Sequence, residues 1–451
     1  MLSIAAIEAC WSTIEAFTDL ESTISLSSTC RSLRSLLLDA PTRKVKVSHF
    51  QVCNLPQVDI VLPRDYTTAH LRIPHFTSRA LNHIHFSSLS RLHLDFPLTK
   101  RATTGYDRWD YLEDVHTSAF PILASQLGGC ANNSLRSFYL NCNRLLQHEK
   151  HLECVYDIFG QNLSRCPKLE ELTVINTGIV RGENSRMYSV GLARALVSTL
   201  KKRRDGLRKF QYEACGRYLL PEFITLGSPP WLFVSKANQD LFSAALQLTN
   251  LEEFSLRTSW GAFCDFLAVV VETMAEKHDN MKKPSFSIRG LEIECLDWIR
   301  EENVMVTSVC PIFKYFSDCR SLQRLHLALP PQCLRETQTL EALKRLLADK
   351  TELRHVSISL VGYDDRARNL FKSLSEMSTH ILKSCNIICF RNIYNVDEIE
   401  LNKLFRSMEM LGFETKYIKE EAGAVSTHYM RFLKIRNDEI VASGSESKDG
   451  I

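Results

Sequence analysis

The amino-acid sequence has no long apolar run that would cross a membrane and no basic leader segment at its start. The longest apolar candidate, residues 266–271, is closed by Glu272 and falls far short of the ~20 apolar residues that a membrane-spanning helix needs. Residues 1–11 contain no lysine or arginine and carry Glu8, which does not fit a secretory signal. These absences predict a soluble protein of the cytoplasm or the nucleus that has no membrane partner.

An excess of charge of one sign is also absent. The 451 residues include 55 lysines and arginines and 52 aspartates and glutamates, which gives a formal net charge of +3. Proteins that bind nucleic acid carry a marked basic surface, because lysine and arginine neutralise the phosphate groups. The charge balance therefore predicts that nucleic acid is not a partner.

Paired cysteines are missing as well. The fifteen cysteines form no Cys-x-x-Cys pair, and their number is odd, which argues against a disulfide framework and against a zinc ribbon. Cys130, Cys166 and Cys319 each lie in a short turn ahead of an expected strand. A small side chain fits beneath a helix end at such a turn, so we assign these cysteines to the architecture and not to redox chemistry.

The sequence does contain a repeated apolar phrase, Leu-x-x-Leu-x-Leu or a close variant. A phrase that recurs after a helix-length interval indicates stacked strand-plus-helix units, since each unit buries its apolar face against the next. The intervals run from about thirty to the mid forties, longer than the ~20–29 residues of a tight leucine-rich repeat. The predicted fold class is α/β, a leucine-rich-repeat solenoid with a curved parallel sheet and outer helices. The copies begin at Leu89, Leu135, Leu169, Leu207, Leu251, Ile288, Leu322 and Leu353.

Further elements follow from apolar periodicity. Valines 45, 47 and 52 with Ile60 and Leu62 predict short strands that open the solenoid. The remaining predictions are helices at about 112–127, 190–200 and 396–411, a ninth unit at 382–391 and an antiparallel segment at 415–435.

The first forty residues lack the repeated phrase and read as two amphipathic helices. Ile4, Ile7, Trp11, Ile14 and Phe17 recur at helical spacing, and a second stripe runs through residues 24–37 before Pro41 ends it. The tail after Asp438 has few apolar anchors and is expected to be disordered. The predicted domains are a helical module at 1–42, the solenoid at 43–437 and a disordered tail at 438–451.

Residues 25–36, Ser-Leu-Ser-Ser-Thr-Cys-Arg-Ser-Leu-Arg-Ser-Leu, resemble the second half of an F-box. Residues 7–20 are similar to the first helix and aspartate-containing turn of that motif, and residues 166–172, Cys-Pro-x-Leu-Glu-x-Leu, are similar to the repeats of fungal F-box proteins with leucine-rich repeats. The resemblance implies that the module docks on the Skp-type adaptor of a cullin-RING (SCF) ubiquitin ligase. It also implies that the repeats hold a protein substrate for ubiquitin transfer.

The residues that the resemblance assigns to adaptor contact are apolar, and they would face either the adaptor or the core of the module itself. They are Ile14, Phe17, Leu20, Leu26, Cys30 and Leu33. The alternative is that the two helices cap the first repeat. The protein would then be a leucine-rich-repeat binding scaffold that recruits no ligase.

Side chains alternate across a strand, so the residues between the buried leucines point to the concave face of a solenoid. Acidic residues gather in the middle repeats, whereas arginine and histidine collect at both ends, which predicts a partner with a basic centre. The alternative is that these residues are solvated strand positions without a partner. The predicted partner-binding residues are His93, Tyr139, Glu171, Lys209, Glu213, Glu253, Arg257, Glu292, Arg324, His326 and His355.

Motifs of catalysis and cofactor binding are not found. The sequence has no phosphate loop, no Gly-x-Ser-x-Gly elbow and no dinucleotide fingerprint. His148 and His151 are one helical turn apart but lack a third ligand, and the basic run at 201–204 lies where a helix is expected to end. We therefore expect a protein that is not an enzyme and that uses no cofactor.

Overall fold

A computed structural model describes most of the repeat region of the chain. It covers residues 44–47, 68–72, 89–96, 120–128, 134–143, 149–179, 186–219, 230–280, 287–297, 308–334, 337–348, 350–360, 385–394, 396, 398–422 and 425–434. The chain divides into two compact units, residues 1–250 and residues 251–451. The predictions made for the helical module at 1–42, for Val52, Ile60 and Leu62 and for the tail lie outside the described residues.

In the first unit, parallel strands pair in the order in which they occur along the chain. The main sheet consists of β1 (Lys44–Val47), β2 (Thr68–Arg72), β3 (Arg91–Asp95), β4 (Ser137–Asn141), β5 (Glu171–Ile175) and β8 (Lys209–Ala214). A second, small sheet contains β6 (Gly178–Ile179), β7 (Arg186–Ser189) and β9 (Arg217–Leu219). The helices are α1 (Glu149–Ser164), α2 (Val190–Lys202) and α3 (Pro230–Leu246).

The second unit repeats this plan and then closes with a hairpin. Strands β10 (Glu253–Ser259), β11 (Gly290–Asp297), β12 (Arg324–Leu329), β13 (His355–Leu360) and β14 (Ile387–Tyr394) are parallel. Strand β16 (Val425–Lys434) pairs antiparallel with both β14 and β15 (Phe413–Ala422). The helices are α4 (Trp260–Asn280), α5 (Cys310–Phe316), α6 (Thr337–Ala348) and α7 (Glu398–Met410), with a 3-10 turn at Pro331–Leu334.

The strand register aligns the apolar side chains into rows on one side of each sheet. Phe254, Leu291, Leu325, Val356 and Ile388 are neighbours across five strands, and all of them are buried. The equivalent row of the first unit contains Leu92, Phe138, Leu172 and Phe210.

Helices cover this apolar side. The Phe159 ring of α1 lies 5.6 Å from the Phe138 ring of β4, and Phe254 of β10 contacts Phe266 of α4 at 6.0 Å between ring centroids. Burying one such aromatic side chain contributes about 1.5–3 kcal/mol. The polar side chains are therefore left on the opposite side of each sheet.

Helix α2 shows how the local sequence sets an element's ends. The Ser189 hydroxyl caps its start by accepting a 2.9 Å hydrogen bond from the backbone N–H of Leu192. Lys201 and Lys202 occupy the last turn, where positive charge meets the negative end of the helix dipole. The basic run at 201–204 thus lies at the end of a helix, as the sequence analysis predicted.

The repeated phrase predicts the strands closely. Each of β3, β4, β5, β8, β10, β11, β12 and β13 begins two residues after the first apolar residue of its phrase. The predicted helices at 190–200 and 396–411 correspond to α2 and α7, residues 120–126 are helical, and the antiparallel segment is present as β15 and β16. These predictions are confirmed over the described residues, as is the α/β class, whereas residues 112–119 of the helix predicted at about 112–127 lie outside them.

Some strands carry no copy of the phrase and were not predicted. Strand β2 has only Ala69 and Leu71 as apolar residues, while β6, β7 and β9 are two to four residues long. These strands are formed by pairing with neighbouring strands. They are too short to show a periodicity of apolar residues in the sequence. In the described part of the chain, no helix has the length and apolar character to cross a membrane.

Candidate functional site

In each unit, the polar side of the main parallel strands is a candidate site. All eleven residues that the sequence assigned to partner binding lie at strand positions whose side chains alternate with the buried row, and each is half-buried or exposed. Their role in binding a partner stays a prediction. The six apolar residues assigned to the adaptor, from Ile14 to Leu33, lie outside the described residues.

In the first unit, aromatic and hydroxyl groups link neighbouring strands on this polar side. His93 and Tyr139 are neighbours in the register, and their ring centroids are 3.7 Å apart. The Ser137 hydroxyl donates a 2.7 Å hydrogen bond to a carboxylate oxygen of Glu171. Lys209 and Glu213 lie on β8 beside Glu171 and Ile175 of β5. This surface is therefore polar and partly fixed by contacts between strands.

In the second unit, Glu294 joins three strands. Its Oε2 accepts a 2.7 Å bond from Arg257 Nε of β10, and its Oε1 lies 2.6 Å from His326 Nε2 of β12. The Glu294 side chain is only 10% exposed, so water screens these contacts weakly. Burial alone would raise the pKa of Glu294, but the hydrogen bonds and positive charge of His326 and Arg257 outweigh it and lower this pKa to about 2.

A second pair of contacts extends this network toward the start of the strands. Arg324 Nη2 of β12 reaches Glu253 Oε1 of β10 at 2.5 Å, across the intervening strand β11. Gly290 lies between them, and a Cβ there would be 3.3 Å from Arg324 Nη2. The Ser255 hydroxyl also donates a 2.7 Å bond to Glu292. The acidic side chains of β10 and β11 are thus held by partners within the sheet.

Glu292, Glu294 and His326 also form a possible metal-binding group, because their ligand atoms lie within 4.8 Å of one another. Arg257 is bonded to one carboxylate oxygen of Glu294 and His326 to the other. A cation would have to displace His326 from Glu294 and would bind beside a guanidinium group. Glu294 therefore already has cationic or hydrogen-bonding partners within the sheet, and the three residues are better described as part of an internal ion network than as a metal site.

The basic end of this surface was missed by the sequence analysis. Ser357 of β13, Cys389 of β14 and Arg431 of β16 lie side by side, and Ser359 pairs with Arg391 of β14 in the next row. The ninth unit lacks the full repeated phrase, so the predicted partner-binding residues ended at His355 of the eighth. Alternation between Ile388, Phe390 and their neighbours is the signal that would have included Cys389 and Arg391.

Most of the described cysteines are buried, whereas Cys154 is exposed and Cys264 is half-buried. Burial raises the pKa of Cys166 to about 11, although the positive charge of Arg203 opposes this rise. Burial also raises the pKa of Cys264 and that of Cys385 to about 11 each. A thiol with so high a pKa is a poor nucleophile at neutral pH, and the buried positions of Cys166 and Cys319 agree with the architectural assignment. Cys130 lies outside the described residues.

No family model matches the chain, and no curated protein matches it. Its function must therefore be inferred from the geometry and from the sequence.

Proposed function

We propose that this protein is an F-box-type substrate receptor, whose repeats bind a protein and whose N-terminal helices attach it to a cullin-RING ubiquitin ligase. The supporting observation is the polar side of the parallel strands in each unit, where each described strand of the repeated phrase contributes two or three polar side chains to rows that run across the strands. Such a surface can bind an extended protein segment without any catalytic group.

The repeat architecture supports a leucine-rich-repeat solenoid. In that family the phrase is followed by asparagine or cysteine at its ninth position, and Asn143 and Cys215 occupy this position after Leu135 and Leu207. Thr177 stands there in the repeat between them, and its hydroxyl accepts a 2.8 Å bond from the backbone N–H of Cys215. The turns after successive strands are thereby linked.

The turns before the strands support the same reading. The backbone N–H of Gln323 donates to the carbonyl of Arg289, that of Arg354 donates to Gln323, and that of Asn386 donates to Arg354. Equivalent positions of successive repeats are thus bonded one to the next. Strands in chain order with helices on their apolar side are what stacking of repeats requires.

Attachment to the ligase rests on the resemblance of residues 1–42 to an F-box. The direct test is a pull-down of the full chain with the Skp-type adaptor of its host. It is run beside a truncation that begins at Lys44 and a Leu26→Asp/Leu33→Asp variant. Charged side chains at an apolar interface are expected to abolish capture, because an unpaired carboxylate would have to be desolvated.

A matched control is Leu232→Asp/Ile399→Asp, which changes two exposed apolar residues of the described repeats in the same way. Circular dichroism first establishes that each variant is folded. Capture by the full chain and by this control, but not by the other two proteins, is expected. If no protein captures the adaptor, a repeat scaffold without ligase recruitment replaces the receptor proposal.

A further inference from the structure

We infer that the polar side of β13, β14 and β16 binds carboxylate groups of an acidic peptide segment in a protein partner. The inference deepens the proposed function, since it rests on the polar side being the surface that holds the partner. It concerns Arg391, Arg431 and Ser357, none of which belongs to the predicted binding residues.

The first observation is a difference between the arginines of the second unit. Arg257 and Arg324 are paired with Glu294 and Glu253. Among the described residues, no carboxylate lies within ion-pair distance of Arg391 or Arg431. Two guanidinium groups on adjacent strands therefore have no carboxylate partner among the described residues, and guanidinium is the side chain that best matches a carboxylate in two parallel hydrogen bonds.

Tyr429 positions one of these groups. The Arg391 guanidinium lies over the Tyr429 ring, 5.6 Å from its centroid. At this distance the negative face of the ring attracts the guanidinium. The contact favours a position of Arg391 beside Tyr429, on the same side of the sheet as Arg431.

The second observation is a buried hydroxyl. Ser357 is 4% exposed, and among the described residues its Oγ has no hydrogen-bond partner. A buried hydroxyl without a partner destabilises the fold, so an acceptor brought to it would be favoured. Ser357 lies in the same row as Cys389 and Arg431, so a carboxylate bound by the arginines would lie beside a donor that lacks an acceptor.

The electrostatics of this region favour the binding of an anion. Burial lowers the pKa of His355, and the positive charges of His326 and Arg324 from β12, Arg431 from β16 and Arg391 from β14 lower it further. Arg391 and Arg431 also partly offset the rise that burial causes in the pKa of Cys389. Both guanidinium groups therefore act on one small region that has an excess of positive charge.

A peptide fits this surface better than a free ion does. Glu253 and Glu294 are paired with Arg324 and Arg257 within the sheet, and Glu292 accepts a bond from the neutral hydroxyl of Ser255 and keeps its negative charge. The positive charge that an acidic partner could meet therefore lies at the β14 and β16 end. Strands are ~4.8 Å apart, and an extended segment can run across several of them. Acidic residues of such a segment would meet both arginines, whereas a small ion would leave the neighbouring rows uncovered.

The test is isothermal titration calorimetry of the full chain with a hexaglutamate peptide at low ionic strength. Hexaglutamine is the neutral peptide control, and inorganic phosphate is titrated separately. Arg391→Gln/Arg431→Gln is compared with Arg320→Gln/Arg345→Gln, which removes equal charge from exposed residues outside the strands. Ser357→Ala tests the hydroxyl without changing the charge.

We expect hexaglutamate to bind the parent and the Arg320/Arg345 variant equally. We expect at least tenfold weaker binding to the Arg391/Arg431 variant and several-fold weaker binding to Ser357→Ala. The histidine ring signals in NMR should also show that bound peptide raises the pKa of His355, since added negative charge favours its protonated form.

Equal binding to the two double variants would overturn the inference, as would equally tight binding of hexaglutamine. Binding of phosphate with the same arginine dependence, but none of hexaglutamate, would replace it by a phosphate site. Adaptor capture depends on residues 1–42 and is measured separately. A failed peptide titration with successful capture would therefore remove this inference alone.

Discussion

Glu294 is the residue on which the polar side of the second unit depends most. Both of its carboxylate oxygens are bonded, to Arg257 and to His326, and it is nearly buried. Replacing it by glutamine removes the charge that both partners need and is expected to lower the free energy of unfolding by about 1–3 kcal/mol. Urea unfolding followed by circular dichroism measures this loss. Glu341→Gln on the exposed face of α6 is the control and should change stability by less than ~0.5 kcal/mol.

The same residue gives a pH dependence with a definite sign. Burial opposes ionisation of Glu294, but His326 and Arg257 lower its pKa from 4.5 to about 2. The stabilisation by the charged form is therefore complete above pH ~4.5 and is lost as the pH falls toward 2. The difference in stability between the parent and Glu294→Gln should shrink between pH 5.5 and pH 3. A difference that stays constant over this range would show that the ionised carboxylate is not what stabilises the fold.

For single residues, the sequence predicted which side of the sheet a side chain lies on, but not which side chain it contacts. Alternation correctly placed Glu253, Arg257 and Glu292 on the polar side, because it needs only a period of two. The Arg324–Glu253 contact spans two strand pairings and the His326–Glu294 contact is diagonal. Such pairs depend on the register between distant segments, which the periodicity of one strand does not contain.

At the scale of elements, helices α1 and α2 approach closely at a glycine. A Cβ at Gly160 would overlap the backbone carbonyl of Ala195, and the Thr199 hydroxyl donates a 3.1 Å bond to the Gly160 carbonyl. Gly160→Ala is expected to separate the helices and to cost about 1–3 kcal/mol of stability. Thermal unfolding of the full chain measures the change.

Gly261, near the start of α4, is the matched control. A Cβ there meets no atom within 4 Å, so Gly261→Ala should be neutral or should stabilise by up to ~1 kcal/mol through reduced backbone entropy. Equal effects of the two substitutions would contradict the close packing of α1 on α2.

The elements that the sequence predicted are those with enough residues to show a period. Strands that follow Leu135 or Leu322 and helix α2 have several apolar positions each, and burial against neighbouring repeats keeps them in place. Strands β6, β7 and β9 are short. Gly178 shows why local pattern fails there, since its backbone approaches the carbonyl of Asn143, a residue from the preceding repeat.

At the scale of the whole molecule, the fold and the proposed attachment to a ligase have different support. The α/β class and the parallel strand order are present in the structure, whereas the proposal of an F-box rests on the resemblance of residues 25–36 and 7–20 of the sequence. A repeated phrase reports packing between neighbours and therefore predicts a fold. Recognition of an adaptor depends on a surface that meets another protein, and apolar periodicity in one chain does not distinguish it from a cap.

The most direct measurement of the central claim is ubiquitin transfer to the protein itself in a reconstituted cullin-RING ligase. A receptor held beside the ubiquitin-charged enzyme exposes its own lysines, so no substrate has to be known. The account predicts adaptor-dependent ubiquitin conjugates on the full chain, none on Leu26→Asp/Leu33→Asp and unchanged conjugates on Leu232→Asp/Ile399→Asp. Conjugates that form equally without the adaptor, or none on the full chain while another receptor is modified in the same mixture, would contradict it.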